Sequence, residues 1–280
     1  MRHILSNDYK FRLDALSVRL GTIDSFPSRY ESMTSKEPSL LLVTKANDLI
    51  SASYRLTLQE QRLLLAAIAQ VDPRKPMPSK ITVTAASFAE IYGVPIRFAY
   101  TNLKEAADSL YERDIQTFDG KNRTRIRWVY KAAYAEGEGR VTLNFTVDVI
   151  PYLSMLNSKL TSYDLRRVAN LNSMHSFRLF ELMMQFKSTG VLIIEVEKLR
   201  ILLDLGDSYK RFNNLRQRVI APSIAEITAK SGITITYQTI TEGKTVKSLM
   251  FRFQEAAQMR LSLEDGMEAI PHEQLVILEN

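Results

Sequence analysis

The sequence predicts an α+β fold made of two copies of one small unit joined by a long helix. Hydrophobic periodicity switches from helical to alternating twice along the chain. Both passages run in the same order: strand, short helix, glycine, longer helix, β-hairpin. Their glycines, Gly93 and Gly206, lie 113 positions apart, as do Ile81 and Ile194 of the opening strands. The residues themselves are barely alike, so the repeat is one of pattern. A short helix bracing a longer one, with a hairpin closing the open side of a small core, is a helix-turn-helix with a wing. The expected architecture is therefore two winged-helix domains.

Residues 1–39 read as an N-terminal extension. Tyr9, Leu13, Leu16 and Leu20 recur at helical spacing and predict a short amphipathic helix over 8–20; a Ser- and Pro-rich linker follows. The first domain is placed at 40–160. Thr57, with Glu60 three residues later, marks a helix start, and the helix should end before Pro73. Ile81–Thr84 is strand-like, Ala85–Tyr92 a compact helix closed by Gly93, and Ile96–Arg113 a longer one. The period then becomes two over Ile115–Phe118, Thr124–Tyr130 and Val141–Phe145, with turns at Asp119-Gly120 and Gly137-Glu138-Gly139.

A strongly apolar helix, roughly Ser162–Lys187, is expected to fill 161–188 and to pack on both domains. The second domain is placed at 189–254: strand Val191–Val196, short helix Glu197–Leu205 ended by Gly206, longer helix Ser208–Lys230. Its hairpin opens at Gly232 and turns at Glu242-Gly243.

Composition removes whole classes of chemistry. The chain of 280 residues has no cysteine, so disulfides, thiol catalysis and Cys-ligated zinc are out. Three scattered histidines, His3, His175 and His272, make no metal site. Gly120-Lys121 and Gly243-Lys244 lack the glycine a phosphate-binding P-loop needs five positions earlier. Nothing suggests an enzyme, a cofactor, an export signal or a membrane span, and the chain reads as cytoplasmic.

Charge is the positive clue. The net is +6, but residues 254–280 hold one basic residue (Arg260) and six acidic ones. That leaves an acidic C-terminal tail, 255–280, at −5 and the remaining body at +11. A folded body so basic suits a polyanionic partner, nucleic acid above all.

The expected base-reading segment is Lys210, Arg211, Asn213, Asn214, Arg216 and Gln217. Asn and Gln pair bidentately with adenine and Arg with guanine, which suits a major groove. Phe212, Leu215 and Val219 project towards the core, and Arg218, off the polar face, is either a further contact or a structural pairing partner. In the first domain, Arg97, Tyr100, Thr101 and Lys104 lie on the corresponding helix, as a less base-specific contact or as support for the fold or the dimer. Arg123 and Arg125, alternating along a strand with Arg127, are candidate phosphate contacts, as are Lys244 and Lys247 at the second hairpin turn. Trp128 and His175 are read as interior residues.

Four ordered stretches resemble the replication initiators (Rep proteins) of theta-replicating, iteron-bearing bacterial plasmids. They are Lys45-Ala46-Asn47-Asp48-Leu49-Ile50 running into Leu56–Leu65; Arg127-Trp128-Val129 with Gly137–Val141 and Ile150–Leu153; Ser176-Phe177-Arg178-Leu179-Phe180-Glu181-Leu182; and Asn214–Pro222 with Ile224 and Glu226-Ile227. The likeness spans about residues 43–253. It implies double-stranded DNA as partner: monomers on the direct repeats (iterons) of an origin, dimers on an operator inverted repeat that represses the gene. It also implies a homodimer in equilibrium with monomer, opening of an A/T-rich segment, and contact with host initiator ATPase, replicative helicase and chaperones. It implies no catalysis by the protein itself. The competing expectation is a tandem winged-helix transcriptional regulator.

Overall fold

Alternating and helical segments resolve into two units built on one winged-helix plan. The computed structural model describes residues 41–255 apart from 73, 119–120, 136 and 154–158. The expected helix over 8–20, the linker, the turn at 119–120 and nearly all of the acidic tail lie outside the described residues.

The first unit opens with β1 (Leu42–Ala46), α1 (Asn47–Ile50), the short β2 (Ser53–Tyr54) and α2 (Leu58–Ile68). The start of α2 is as expected: Thr57 accepts from the Glu60 N–H, and the Glu60 carboxylate accepts from the Thr57 N–H at 2.8 Å. Two otherwise orphaned donors are thereby satisfied, and Thr57→Ala is expected to cost about 1 kcal/mol of stability in urea unfolding. The helix stops at Ile68, short of Pro73.

The winged helix proper follows: β3 (Lys80–Thr84), α3 (Ala85–Tyr92) and α4 (Ile96–Tyr111). Gly93 caps α3 at φ 62°, a left-handed conformation that costs glycine little. After α4 come β4 (Asp114–Phe118), β5 (Arg123–Arg127), β6 (Val129–Ala135) and β7 (Arg140–Phe145). The expected strand Thr124–Tyr130 is in fact two strands in two sheets. β5 pairs with β4, which pairs with β2, whereas β6 joins β7 and β3. The break falls at Trp128, fully buried and edge-on to Tyr54 at 5.3 Å. Burying that ring turns the chain from one sheet into the next. The wing is thus β6–β7 alone, and β4–β5 is an additional hairpin.

The second unit repeats the plan with β9 (Val191–Glu195), α7 (Val196–Leu202), α8 (Phe212–Leu215) running through a π turn (Arg216–Ile220) into α9 (Ala221–Lys230), and the hairpin β10 (Ile233–Glu242) and β11 (Thr245–Glu255). β9 pairs with β11, the second arm of its hairpin, as β3 pairs with β7. The spacing between copies drifts, from 111 positions at the strands and short helices to 116 at the longer helices. Helix α7 ends three residues earlier than expected, and Asp204 (φ 51°) rather than Gly206 follows its last turn. The longer helix starts at Phe212 rather than Ser208 because residues 206–209 form a turn.

The single long helix expected between the units does not exist. Its place is taken by β8 (Leu160–Asp164), α5 (Arg166–Ala169) and α6 (Met174–Met184). β8 pairs along its whole length with β1. Asp164 accepts from the Arg166 N–H, and Ser173 caps α6, so the chain breaks at both points.

Helix α6 carries an ionic knot through the core. Lys45 of β1 and Glu181 of α6 are both 0% exposed, and Lys45 Nζ donates to Glu181 Oε1 at 2.7 Å. Tyr163 donates to the same oxygen at 2.7 Å, and Arg178 approaches Oε2 at 3.5 Å. Arg178 also donates to the carbonyls of Ile50 and Ala52 in the first unit and of Leu202 in the second. Glu226 of α9 accepts from the Ser176 hydroxyl (2.6 Å) and the Asn172 N–H (2.7 Å). The two winged helices belong to one compact unit joined by such polar contacts.

Candidate nucleic-acid interface

The approach to α8 is shaped by Arg200. Its guanidinium, mostly buried, donates to the carbonyls of Tyr209 (2.6 Å), Ser208 (2.5 Å) and Gly206 (3.4 Å). Tyr209 is held at φ 55° in the left-handed region, which an L side chain adopts only when its surroundings enforce it. Lys210 and Arg211 therefore sit on an extended segment before the helix, not on its first turn as expected.

From there the helix divides cleanly. Leu215, Val219 and Ile220 are buried, with Phe212 half-buried beside them. Lys210, Arg211, Asn213, Asn214, Arg216, Gln217 and Arg218 are all exposed. Arg216 Nη2 donates to Asn213 Oδ1 at 2.9 Å, so these two side chains are ordered as a pair. Lys210 pairs with Asp207 at 3.1 Å.

The π turn decides where Arg218 points. The Ala221 N–H reaches back five residues to the Arg216 carbonyl. Pro222 comes next; it has no N–H to donate and its ring crowds the preceding turn, a known cause of such widening. A wider turn rotates the chain less per residue, so Val219 and Ile220 share the core and Arg218 swings to the outside. The Arg218 side chain makes no ion pair or hydrogen bond among the described residues. The pairing role open to it in sequence is not taken up, and it joins the exposed cationic face. Only Pro222 hinted at this.

In the first unit, α4 exposes Arg97 and Thr101, while Lys104 is half-buried with its ammonium over the Tyr134 ring at 5.7 Å. Tyr100 departs from expectation. It packs against the core, and its hydroxyl is enclosed without a hydrogen-bond partner. Ile96 and Phe98, which sequence reasoning passed over, are turned outwards instead.

The arginine strand is β5 of the additional hairpin rather than part of a wing, and its charges are engaged within the chain. Arg125 pairs with Asp114, Arg123 donates to Gln116, and Arg127 reaches Glu112 at 3.2 Å. At the second wing Lys247 pairs with Glu242 at 3.3 Å, whereas Lys244 is exposed and unpaired among the described residues. The hairpin arginines and the polar face of the helix from Phe212 thus stand on different elements of different units.

His175 is half-buried and its imidazole makes no hydrogen bond among the described residues; burial holds it below the usual histidine range. Among the described residues, no cluster of His, Asp or Glu is placed to hold a metal ion, and no helix is long and apolar enough to cross a membrane.

Comparison with known proteins finds two family models matched in order along the chain. A family described as "Initiator Replication protein, WH1" matches residues 42–184, and "Initiator Rep protein, WH2" matches 195–253. A replication initiation protein of Escherichia coli is 25% identical over 237 residues, which cover 81% of this chain and 73% of that one. The PI protein of Escherichia coli is 26% identical over 248 residues, 74% of this chain and 80% of its own. The crystal structure of Pi initiator protein in complex with iteron DNA superposes with a TM-score of 0.68 at 23% identity, covering 77% of this chain and 97% of that one. With both of its winged helices matched in order, the chain belongs to the family of replication initiator (Rep) proteins.

Proposed function

We propose that the protein binds direct repeats (iterons) of double-stranded DNA at a bacterial plasmid origin and so starts replication. Each domain, 40–160 and 189–254, offers one helix to a major groove. Lys210, Arg211, Asn213, Asn214, Arg216, Gln217 and Arg218 read base edges in the second. Arg97 and Thr101 make the corresponding contacts in the first, with Lys104 beside them. Lys244 holds the backbone from the second wing; Lys247 there, and Arg123 and Arg125 in the first domain, do so only by exchanging their internal partners for phosphate. One observation carries the reading: seven polar or cationic side chains, interrupted only by core residues, stand exposed on and just before a helix of a winged helix. Amides and guanidinium groups there match the donor and acceptor code of the major groove. The structural likeness to an initiator solved on iteron DNA supports it. By the same reading the protein acts in the cytoplasm, and as a dimer it binds an inverted repeat and represses its own gene.

Footprinting on the source replicon tests this. Protection of direct repeats beside an A/T-rich tract is the expected result. Protection of a promoter palindrome alone would make the protein a transcriptional regulator instead.

A further inference from the structure

We infer that the first turn of α4 reads thymine by apolar contact, Ile96 and Phe98 meeting the C5-methyl groups of A·T pairs in the major groove. The inference rests on the duplex-binding reading above and adds to it a base preference for the first domain.

Ile96 and Phe98 are 60% and 51% exposed, one on either side of Arg97. They are not surplus core, because the inner face of α4 is filled by Ala99, Leu103, Ala106, Ala107 and Leu110. Large apolar groups left in water gain free energy from whatever hydrocarbon covers them. Their surroundings say what that is. The Arg97 guanidinium lies over the Phe98 ring at 4.8 Å, so cation and ring present one composite surface. Thr101 follows one turn later and Lys104 after it. Exposed Glu105 and Asp108 come further along, confining a polyanion to the first two turns.

The internal duplication supplies the second argument. α4 occupies the place in the first unit that the helix from Phe212 occupies in the second. There the opening turns carry amides and guanidinium groups; here they carry hydrocarbon around one guanidinium. In a major groove the thymine methyl is the apolar feature to read. The first unit is thus suited to A·T-rich steps and the second to hydrogen-bonded readout.

The test uses the full-length protein and an iteron duplex in which each thymine in turn is replaced by deoxyuridine, which removes the methyl group alone. Binding about fourfold weaker per methyl lost is expected at one or two positions. Ile96→Ser and Phe98→Ser, both at exposed sites that leave the fold intact, should then bind thymine and uracil duplexes alike. Tight binding indifferent to every methyl would overturn the inference alone. Retention of the thymine preference by both variants would also overturn it. So would a changed sedimentation state with the preference intact, which would assign the pair to a second copy of the chain. Failure of the wild-type chain to bind any repeat would overturn both this inference and the proposed function.

Discussion

Glu181→Gln is expected to lower the free energy of unfolding by about 3–5 kcal/mol, the largest single effect in the molecule, because it leaves buried cations without their counter-charge. The substitution keeps the shape of the side chain and removes only its charge. Lys45, fully buried, then has no carboxylate within reach, and Arg178 loses its ion pair while keeping the carbonyls of Ile50, Ala52 and Leu202. Lys45→Met should cost less, since Glu181 keeps Arg178 and the Tyr163 hydroxyl. Urea unfolding of the two single variants and the double variant measures the coupling; additive costs would show that the knot does not act as a unit.

The same carboxylate gives the stability a pH dependence of definite sign. Burial pushes the Glu181 carboxyl up, but Lys45 and Arg178, with hydrogen bonds from Lys45 and Tyr163, outweigh it and hold the group below its ordinary 4.5. A carboxyl depressed in the folded chain stabilises fully above its unfolded value, and that contribution drains away as pH falls through the folded one. The wild-type chain should therefore lose stability on acidification below about pH 4.5, and the Glu181→Gln variant should lose less over the same window.

Removing Asn213 and Arg216 together is expected to abolish sequence discrimination by the second domain while leaving non-specific binding largely in place. Each good base contact contributes about 1–3 kcal/mol of discrimination. Here the two are not independent. The Asn213 carbonyl holds the Arg216 guanidinium at 2.9 Å, so Asn213→Ala also frees Arg216 from its orientation. The double variant should accordingly lose less than the sum of the single losses. Binding titrations on iteron and scrambled duplexes, at one salt concentration, measure it. Full discrimination by the double variant would remove this helix from the reading role.

Much of the fold was legible because its signals are local. The capping box at Thr57, the glycine after Tyr92 and the alternation of β3, β9, β10 and β11 each occupy a few neighbouring residues, and all appear in the structure. What escaped depends on distant partners. β1 looks unlike a core strand because Lys45 interrupts it, and its burial makes sense only beside Glu181, 136 positions away. The end of β8 reads as the start of a helix for the same reason: its partner is β1. At the interface, the polar face of the second helix was readable from residue type alone. The outward turn of Arg218 was not, since it depends on one extra residue per turn. Nor were Ile96 and Phe98, because apolar residues in a helical pattern read as core.

The hydrogen bond from Arg178 to the Leu202 carbonyl has a consequence beyond stability. On the proposed function, because the interior clasps both halves, the separation of the two helices offered to DNA is a property of the core, not of the surface. Substitutions on the exposed faces of those helices would then leave the gauge between them unchanged. A chain that reads DNA in this way can change the letters it recognises without changing the length of the word.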